Sequence, residues 1–313
     1  MSKPRRPISA LLPWYGSKRT LAPLIVELLG EHRAYVEPFG GSMAVLLRKA
    51  RVAAEVVNDL HGDLVNLARV MSDHGDRLRL FRRCRNVIMY DGVVDDAKAD
   101  LTRLRGTEDR VGWAAAYYAM SWLGLNGFSG TDKEEGNVNT ARRYTLLGGG
   151  SPTTRWRSAV NAIRTNGERL AGVDIRSEDA LDLLEKLGDV AGQVIYVDPP
   201  YFAKGAKYRH DFAPEDHQRL AARLCRFEHS RVVVSYYADD RLQQLYPGWW
   251  SVDASTTKAL HSQGRRDSTH AAVAPEVLLC NFEPHVAKPI TKHASDCEAA
   301  EHSPESDCLF PAA

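Results

Sequence analysis

The chain has 313 residues, enough to bury a sizeable core in one large domain with an insertion or a small second domain. Its 44% hydrophobic and 26% charged residues are ordinary for a soluble globular protein. No apolar run approaches the roughly 18 residues of a membrane span, and no secretory apolar core follows the basic N-terminus. A net charge of +1 excludes a polycation as a whole, although arginines crowd between Arg77 and Arg85 and again at Arg142, Arg143, Arg155, Arg157 and Arg164. Such local patches suit nucleic acid, and a solvated helical face accounts equally well for any single one. The five cysteines, Cys84, Cys225, Cys280, Cys297 and Cys308, form no close pair of the zinc or redox kind. A cytoplasmic, reduced setting without a structural metal is therefore expected, and the dispersed histidines, His210 and His217 included, read as surface or helix-start residues.

In chain order, Leu21 to Leu29 has helical spacing, Ala34 to Pro38 reads as a strand, and Gly40-Gly41 turns into a helix from about Ser42 to Lys49. Ala53 to Val57 is a second strand ending at Asn58-Asp59, and a helix follows from Leu64 to Met71. From about Asp73 to Gly150 the alternation gives way to arginine-rich helix, the Gly/Asn-rich loop Asn126 to Gly130 and a Gly148-to-Pro152 linker. Alternation resumes with strands at Val173 to Ile175, Val194 to Val197 and Arg231 to Ser235. Trp249 to Val252 and Val277 to Phe282 read as an antiparallel edge hairpin, and the polar stretch beyond Pro284 reads as disordered. The expected fold is α/β, a mostly parallel Rossmann-like sheet with an antiparallel edge and a mainly helical inserted lobe. This divides the chain into 8–72 plus 153–284 as the sheet domain, 73–152 as the insert and 285–313 as the tail.

The most informative stretch is Val194-Ile195-Tyr196-Val197-Asp198-Pro199-Pro200-Tyr201, a β-branched run ended by an acid and two prolines. The prolines stiffen the turn and remove backbone donors, which leaves an exposed strand-end carboxylate, bare carbonyls and an aromatic ring together. That set suits a planar base: Asp198 and an adjacent carbonyl accept the two hydrogens of an exocyclic amine while Tyr201 stacks. Standing alone, the same residues make a rigid turn. Three further pieces accompany them. Glu37-Pro38-Phe39-Gly40-Gly41-Ser42 runs from strand through glycine turn to helix, where a ligand can approach the backbone and free amides; it matches neither the phosphate-loop nor the full dinucleotide spacing. Asp59, about 20 residues past these glycines, is placed for ribose hydroxyls or, equally, for capping the next helix. Trp14 and Lys18 in Pro13-Trp14-Tyr15-Gly16-Ser17-Lys18 offer a ring to cover an adenosyl or methionyl group and an ammonium for a carboxylate, or a core anchor and a surface lysine.

In this order, with Asp63-Leu64-Val65-Asn66 after Asn58-Asp59 and Asn126-Gly127-Phe128-Ser129-Gly130 in the insert, the motifs resemble the Dam-type DNA adenine methyltransferases from Leu11 to Phe282. The resemblance implies S-adenosylmethionine across the carboxyl ends of the strands, contacted by Trp14, Lys18, Asp59 and Asp198, with Glu37, Phe39, Gly40 and Gly41 lining the methionine side and Asp179 meeting the cofactor adenine. It implies N6-methylation of an adenine flipped out of double-stranded DNA, held by Asp198 and the Pro199 carbonyl in the turn completed by Pro200 and Tyr201. Asn126, Gly127 and Asn139 match the DNA-facing segment of the insert. Arg142, Arg143 and Tyr144 are candidates for phosphate contacts, and Arg265 and Arg266 lie in a Gly/Ser-rich loop that clamps DNA or is simply solvated. Trp122 stands where relatives often carry an arginine, which leaves the base sequence and the mode of reading open.

The same chemistry on RNA adenine, cytosine or a protein glutamine is the enzymatic alternative. The insert favours duplex DNA, and Asp198, where cytosine-amine enzymes usually carry serine, favours adenine. A catalytically silent DNA-binding module would be expected to have lost Lys18 or the Asp198–Tyr201 turn. A monomer or weak dimer, bacterial or phage-encoded, with a possible companion restriction endonuclease, completes the expectation.

Overall fold

In a computed structural model of the protein, the described residues are 10–124, 151–202, 212–257, 273–286 and 288–293. The first part of the chain runs α1 (Ala22–Leu29), β1 (Ala34–Glu37), α2 (Ala44–Arg48), β2 (Ala54–Asn58) and α3 (Gly62–Ser72). Four helices follow: α4 (His74–Arg85), α5 (Val93–Leu104), α6 (Arg110–Leu123) and α7 (Pro152–Leu170). The sheet resumes with β3 (Asp174–Arg176), α8 (Ala180–Lys186), β4 (Gln193–Val197), α9 (Pro214–Leu224) and β5 (Arg231–Tyr237). The last elements are α10 (Arg241–Leu245), β6 (Trp250–Asp253), β7 (Thr256–Thr257), β8 (Val273–Ala274), β9 (Glu276–Cys280) and β10 (Ile290–Lys292).

Eight strands form one sheet in the order β10-β6-β9-β5-β4-β1-β2-β3, with β7 and β8 as a separate pair. The five strands from β3 to β5 are parallel, and β9, β6 and β10 pair antiparallel at one edge. The anticipated α/β fold with an antiparallel edge is what the chain adopts. β4 explains why the centre is parallel: all five of its residues are buried, so both faces need apolar cover. With period-two alternation, Val194 and Tyr196 face the apolar cluster of α1 to α7, and Ile195 and Val197 face that of α8, α9 and α10. The order reverses between β1 and β4, where Val36 pairs with both Val56 and Ile195. At such a switch point the helices depart to opposite faces, and a crevice opens at the carboxyl ends of the strands.

The helices between 74 and 123 share one apolar cluster with α1, α3 and the sheet, through Leu80, Cys84, Val94, Leu101 and Tyr118. Local signals start these helices: Asp73 accepts the Asp76 amide at 2.8 Å, and Asp109 accepts that of Gly112 at 2.8 Å. The tail corrects one expectation. Rather than being unstructured from 285, the chain adds β10 as the edge strand, with Ile290 opposite Val252. Val286 and Ile290 pack on the larger apolar cluster, and His293 bonds the Trp249 and Tyr246 carbonyls, so this short polar segment carries enough apolar and hydrogen-bonding anchors to dock. His217 also departs from expectation: it is 2% exposed on the inner face of α9, its Nδ1 2.9 Å from the Tyr236 hydroxyl, and burial lowers its pKa to about 4.

Candidate active site

The crevice at the β1/β4 switch is lined by the N-terminal segment Trp14 to Lys18, the turn Glu37 to Ser42, Asn58 to His61, Asp179, Asp198, Pro200 and Phe212. With its open mouth it holds about 1120 Å³ of empty space. The structure thus brings every expected cofactor residue, Trp14, Lys18, Glu37, Phe39, Gly40, Gly41, Asp59, Asp179 and Asp198, to one cleft.

Asn58, 1% exposed, is the clamp that holds the strand ends in place. Its side-chain amide donates to the Pro38 carbonyl at 3.0 Å and to the Glu178 carbonyl at 2.9 Å, and its oxygen accepts the Glu178 amide at 2.9 Å. One side chain on β2 therefore ties the turn after β1 to the turn after β3. Asp59 follows: one oxygen accepts the Gly41 amide at 2.7 Å and the other the His61 amide at 2.8 Å. Asp59 is not the cap of α3, a place His61 takes; it organises the glycine turn and the entry to α3 and lines the cleft. Gly40 is required by space, because a Cβ there would lie 2.7 Å from Val57 Cγ2 and 3.1 Å from the Asn58 carbonyl. Gly41 combines a φ of +46° with Trp14 Nε1 3.1 Å from the position of its missing Cβ. Trp14 meets His61 edge-on at 5.4 Å, and His61 stacks on Tyr117 at 5.6 Å, which builds one aromatic wall. Asp179 caps α8 through the Leu181 and Asp182 amides at 2.8 and 3.2 Å.

Asp198 is not the exposed acid expected of a strand end. Its side chain is 20% exposed and its Oδ1 lies 2.9 Å from Lys18 Nζ. Desolvation pushes the Asp198 carboxyl above its ordinary range, against the opposing pull of the Lys18 charge. Lys18, 7% exposed, also donates to the Gly16 carbonyl at 3.0 Å and lies 3.7 Å from Glu276 Oε1. Tyr201 is likewise turned inward rather than presented at the mouth. Its ring is 8% exposed, 4.6 Å from that of Tyr237, and its hydroxyl donates to Asp198 at 3.1 Å. Pro199 is buried and Pro200 faces the cleft. Glu37 is 2% exposed and accepts the Tyr35 hydroxyl at 2.9 Å; desolvation, with the charge of Asp198, pushes its pKa up to about 8.

The cleft wall carries Glu37, Asp59, Asp179, Asp198 and Asp216 against the single ammonium of Lys18. Even with Glu37 protonated near neutral pH, the four aspartates outnumber the ammonium, and beside an aromatic wall and a glycine turn with no room for side chains they fit a cationic ligand with a planar base. S-adenosylmethionine, with its sulfonium, ammonium and adenine, is such a ligand. Among the described residues no group of three or more His, Cys, Asp or Glu side chains could hold a metal ion, and no helix is long and apolar enough to cross a membrane.

Asn126, Gly127, Asn139, Arg142, Arg143, Arg265 and Arg266 lie outside the described residues. The first five fall in the chain between α6 and α7, whose ends meet: Trp122 donates from Nε1 to the Leu11 carbonyl at 3.1 Å, and Arg155 donates to the Trp122 carbonyl at 2.9 Å. Trp122 thus serves packing, being 6% exposed. Sequence reasoning passed over Asn58 as a ligand of the turns, although its place beside Asp59 at a strand end was a signal. It also passed over His61 and Glu276; for Glu276, 78 residues beyond Asp198, nothing in the sequence pointed to the cleft.

The family profile described as D12 class N6 adenine-specific DNA methyltransferase matches residues 14–262. The Retron Ec67 DNA adenine methylase of Escherichia coli is 22% identical over 257 residues, which cover 76% of this chain and 81% of that protein. The crystal structure of SMU.472 complexed with SAH aligns with a TM-score of 0.23 at 12% identity, covering 66% of this chain and 56% of that one, a little over half its length.

Proposed function

The chain belongs to the D12 class of N6 adenine-specific DNA methyltransferases, and we propose that it methylates N6 of an adenine flipped out of duplex DNA, with S-adenosylmethionine as the methyl donor. The observation that carries this reading is the Asp198-Pro199-Pro200-Tyr201 turn at the end of β4, opening onto an acid-lined cleft at the switch point of the sheet. Bound there, S-adenosylmethionine supplies an electrophilic methyl group on sulfur. On this reading Trp14 and His61 cover the cofactor, Asp59 takes its ribose hydroxyls, Asp179 its adenine, and Glu37, Phe39, Gly40 and Gly41 its methionine side. Lys18 anchors the wall between cofactor and target.

Asp198 and the Pro199 carbonyl accept the two hydrogens of the target amine and aim its lone pair at the methyl group, so that positioning supplies much of the acceleration. Stacking on the base requires Tyr201 to turn out of its contact with Tyr237, which also releases its hydroxyl from Asp198. Residues 73–152 act as the target-recognition unit, with Asn126, Gly127 and Asn139 facing the bases and Arg142 and Arg143 the phosphates. Arg265 and Arg266 contact the backbone from the segment between β7 and β8. Among the described residues, Trp122 and Arg155 on either side of 125–150 bond to each other, and β8 ends just before Glu276.

The test is transfer of labelled methyl from S-adenosylmethionine to unmodified duplex DNA, with the digested nucleosides identified by mass spectrometry. N6-methyladenine from the wild type and none from Asp198→Ala is the expected result. Label in RNA or protein but not in DNA would overturn the substrate assignment.

A further inference from the structure

Three charged side chains from distant parts of the chain meet, two carboxylates about one ammonium. Lys18 comes from the N-terminal segment, Asp198 from the end of β4, and Glu276 from the start of β9, which pairs with β5 through Tyr237. Asp198 lies 2.9 Å from Lys18 Nζ and Glu276 lies 3.7 Å from it, with side-chain exposures of 20% and 15%. The Tyr201 hydroxyl sits between the same two carboxylates, 3.1 Å from Asp198 and 3.5 Å from Glu276, and Lys18 Nζ lies 5.0 Å above the Tyr201 ring. Lys18 and Tyr201 therefore each face a near partner and a second one slightly farther off, and the two pairs of partners are the same.

This geometry bears on the task assigned to Asp198, because Lys18 and Tyr201 both engage one of its two oxygens and the ion pair there draws electron density away from the whole carboxylate. The Oδ1 that Lys18 and Tyr201 occupy belongs to the carboxylate that must accept the amine of the target base. A charge-assisted bond to a buried ammonium is stronger than one to a neutral amine, so the amine does not by itself displace Lys18 from that oxygen, and the carboxylate accepts it more strongly once Lys18 has moved. Removing the ammonium with nowhere to go would leave a buried cation unpaired, which is costly. We propose that Glu276 is a positioning residue for methyl transfer: it takes over Lys18 when the target amine takes Asp198, while the Tyr201 hydroxyl leaves Asp198 as its ring turns onto the base. The ion pair is exchanged rather than broken, and Asp198 is freed only as the base arrives. The inference rests on the N6-methylating reading above.

Kinetics on unmodified duplex DNA with the full chain test it, using E276Q, E276D, K18A and the double variant K18A/E276Q. E276Q lowers kcat by about 10-fold or more while leaving the KM for S-adenosylmethionine unchanged, because a neutral amide holds the ammonium more weakly than the ionised Asp198 does and Lys18 stays on Asp198. E276D, which keeps the charge, stays within about threefold of wild type, and in the K18A background E276Q has less than about a twofold further effect. Wild-type kcat in E276Q, or the same loss in both backgrounds, would overturn the exchange. A wild-type enzyme that yields no N6-methyladenine would instead sink the underlying reading. A structure of the wild type with duplex DNA and S-adenosylhomocysteine decides the matter without any variant. Lys18 on Glu276 and clear of Asp198 supports the exchange, and Lys18 still on Asp198 with the base in place refutes it.

Discussion

Replacing Glu37 by glutamine should remove a stability cost that grows with pH. Glu37 sits on β1 with 2% exposure, and its pKa is raised from 4.5 to about 8, first by desolvation. Between those two values the folded protein holds a proton that the unfolded chain has released, so stability falls as pH rises through the window and levels off above the folded value. The full displacement corresponds to roughly 5 kcal/mol, or about 1.4 kcal/mol for each pH unit crossed. A glutamine still accepts the Tyr35 hydroxyl, whereas its NH₂ group meets the Leu46 amide that the carboxyl accepted. That second effect is an offset, the same at every pH. Asp198 is displaced in the same direction in both proteins, so the difference between the two stability curves isolates Glu37. Urea unfolding at pH 5, 6, 7 and 8, at fixed ionic strength and without cofactor, should show E37Q gaining on the wild type by several kcal/mol across the series. A difference constant to within about 0.5 kcal/mol would refute the reasoning, since it would mean that Glu37 is already ionised in the folded protein. As a corollary, a cationic cofactor entering beside Glu37 should displace its proton near neutral pH, which calorimetry in buffers of different ionisation enthalpy reads directly.

Three further outcomes are expected. Asp198→Ala should abolish methyl transfer and also cost about 1–3 kcal/mol, because the acid is a partner of buried Lys18 rather than an exposed strand end; a variant as stable as wild type would argue against the ion pair. Gly40→Ala should destabilise by about 1–3 kcal/mol and weaken cofactor binding, since its methyl meets Val57 and the Asn58 carbonyl; wild-type melting and affinity would show that the turn has room to shift. Removing the charges of Arg142 and Arg143 together should weaken binding to all duplexes alike and reduce the slope of log K against log salt by about 2, and an unchanged slope would exclude phosphate contacts there.

The local elements were legible because their determinants are local. The β-branched run Val194 to Val197 has a strand's length and two buried faces, the Pro199-Pro200 pair ends it, and Gly40-Gly41 marks a turn where no Cβ fits. Alternation of such runs with helical spacing determined a parallel α/β sheet, and chain order placed the cofactor residues at its carboxyl edge. The docked Ile290–Lys292 strand was hidden, because a three-residue polar segment becomes a strand only when an open sheet edge is already there to pair with it. The chemistry of the site divides in the same way. Sequence alone determined which residues could form a base-gripping turn and a ligand cleft, since residue type and adjacency carry that information. Only the tertiary structure decided that Asp198 is half-buried and paired with Lys18, that Asn58 ties two turns together, and that Glu276 stands within reach of both Lys18 and Tyr201. Those facts depend on how desolvated charges from segments up to 258 residues apart converge (Lys18 to Glu276), and no periodicity along the chain encodes such a convergence.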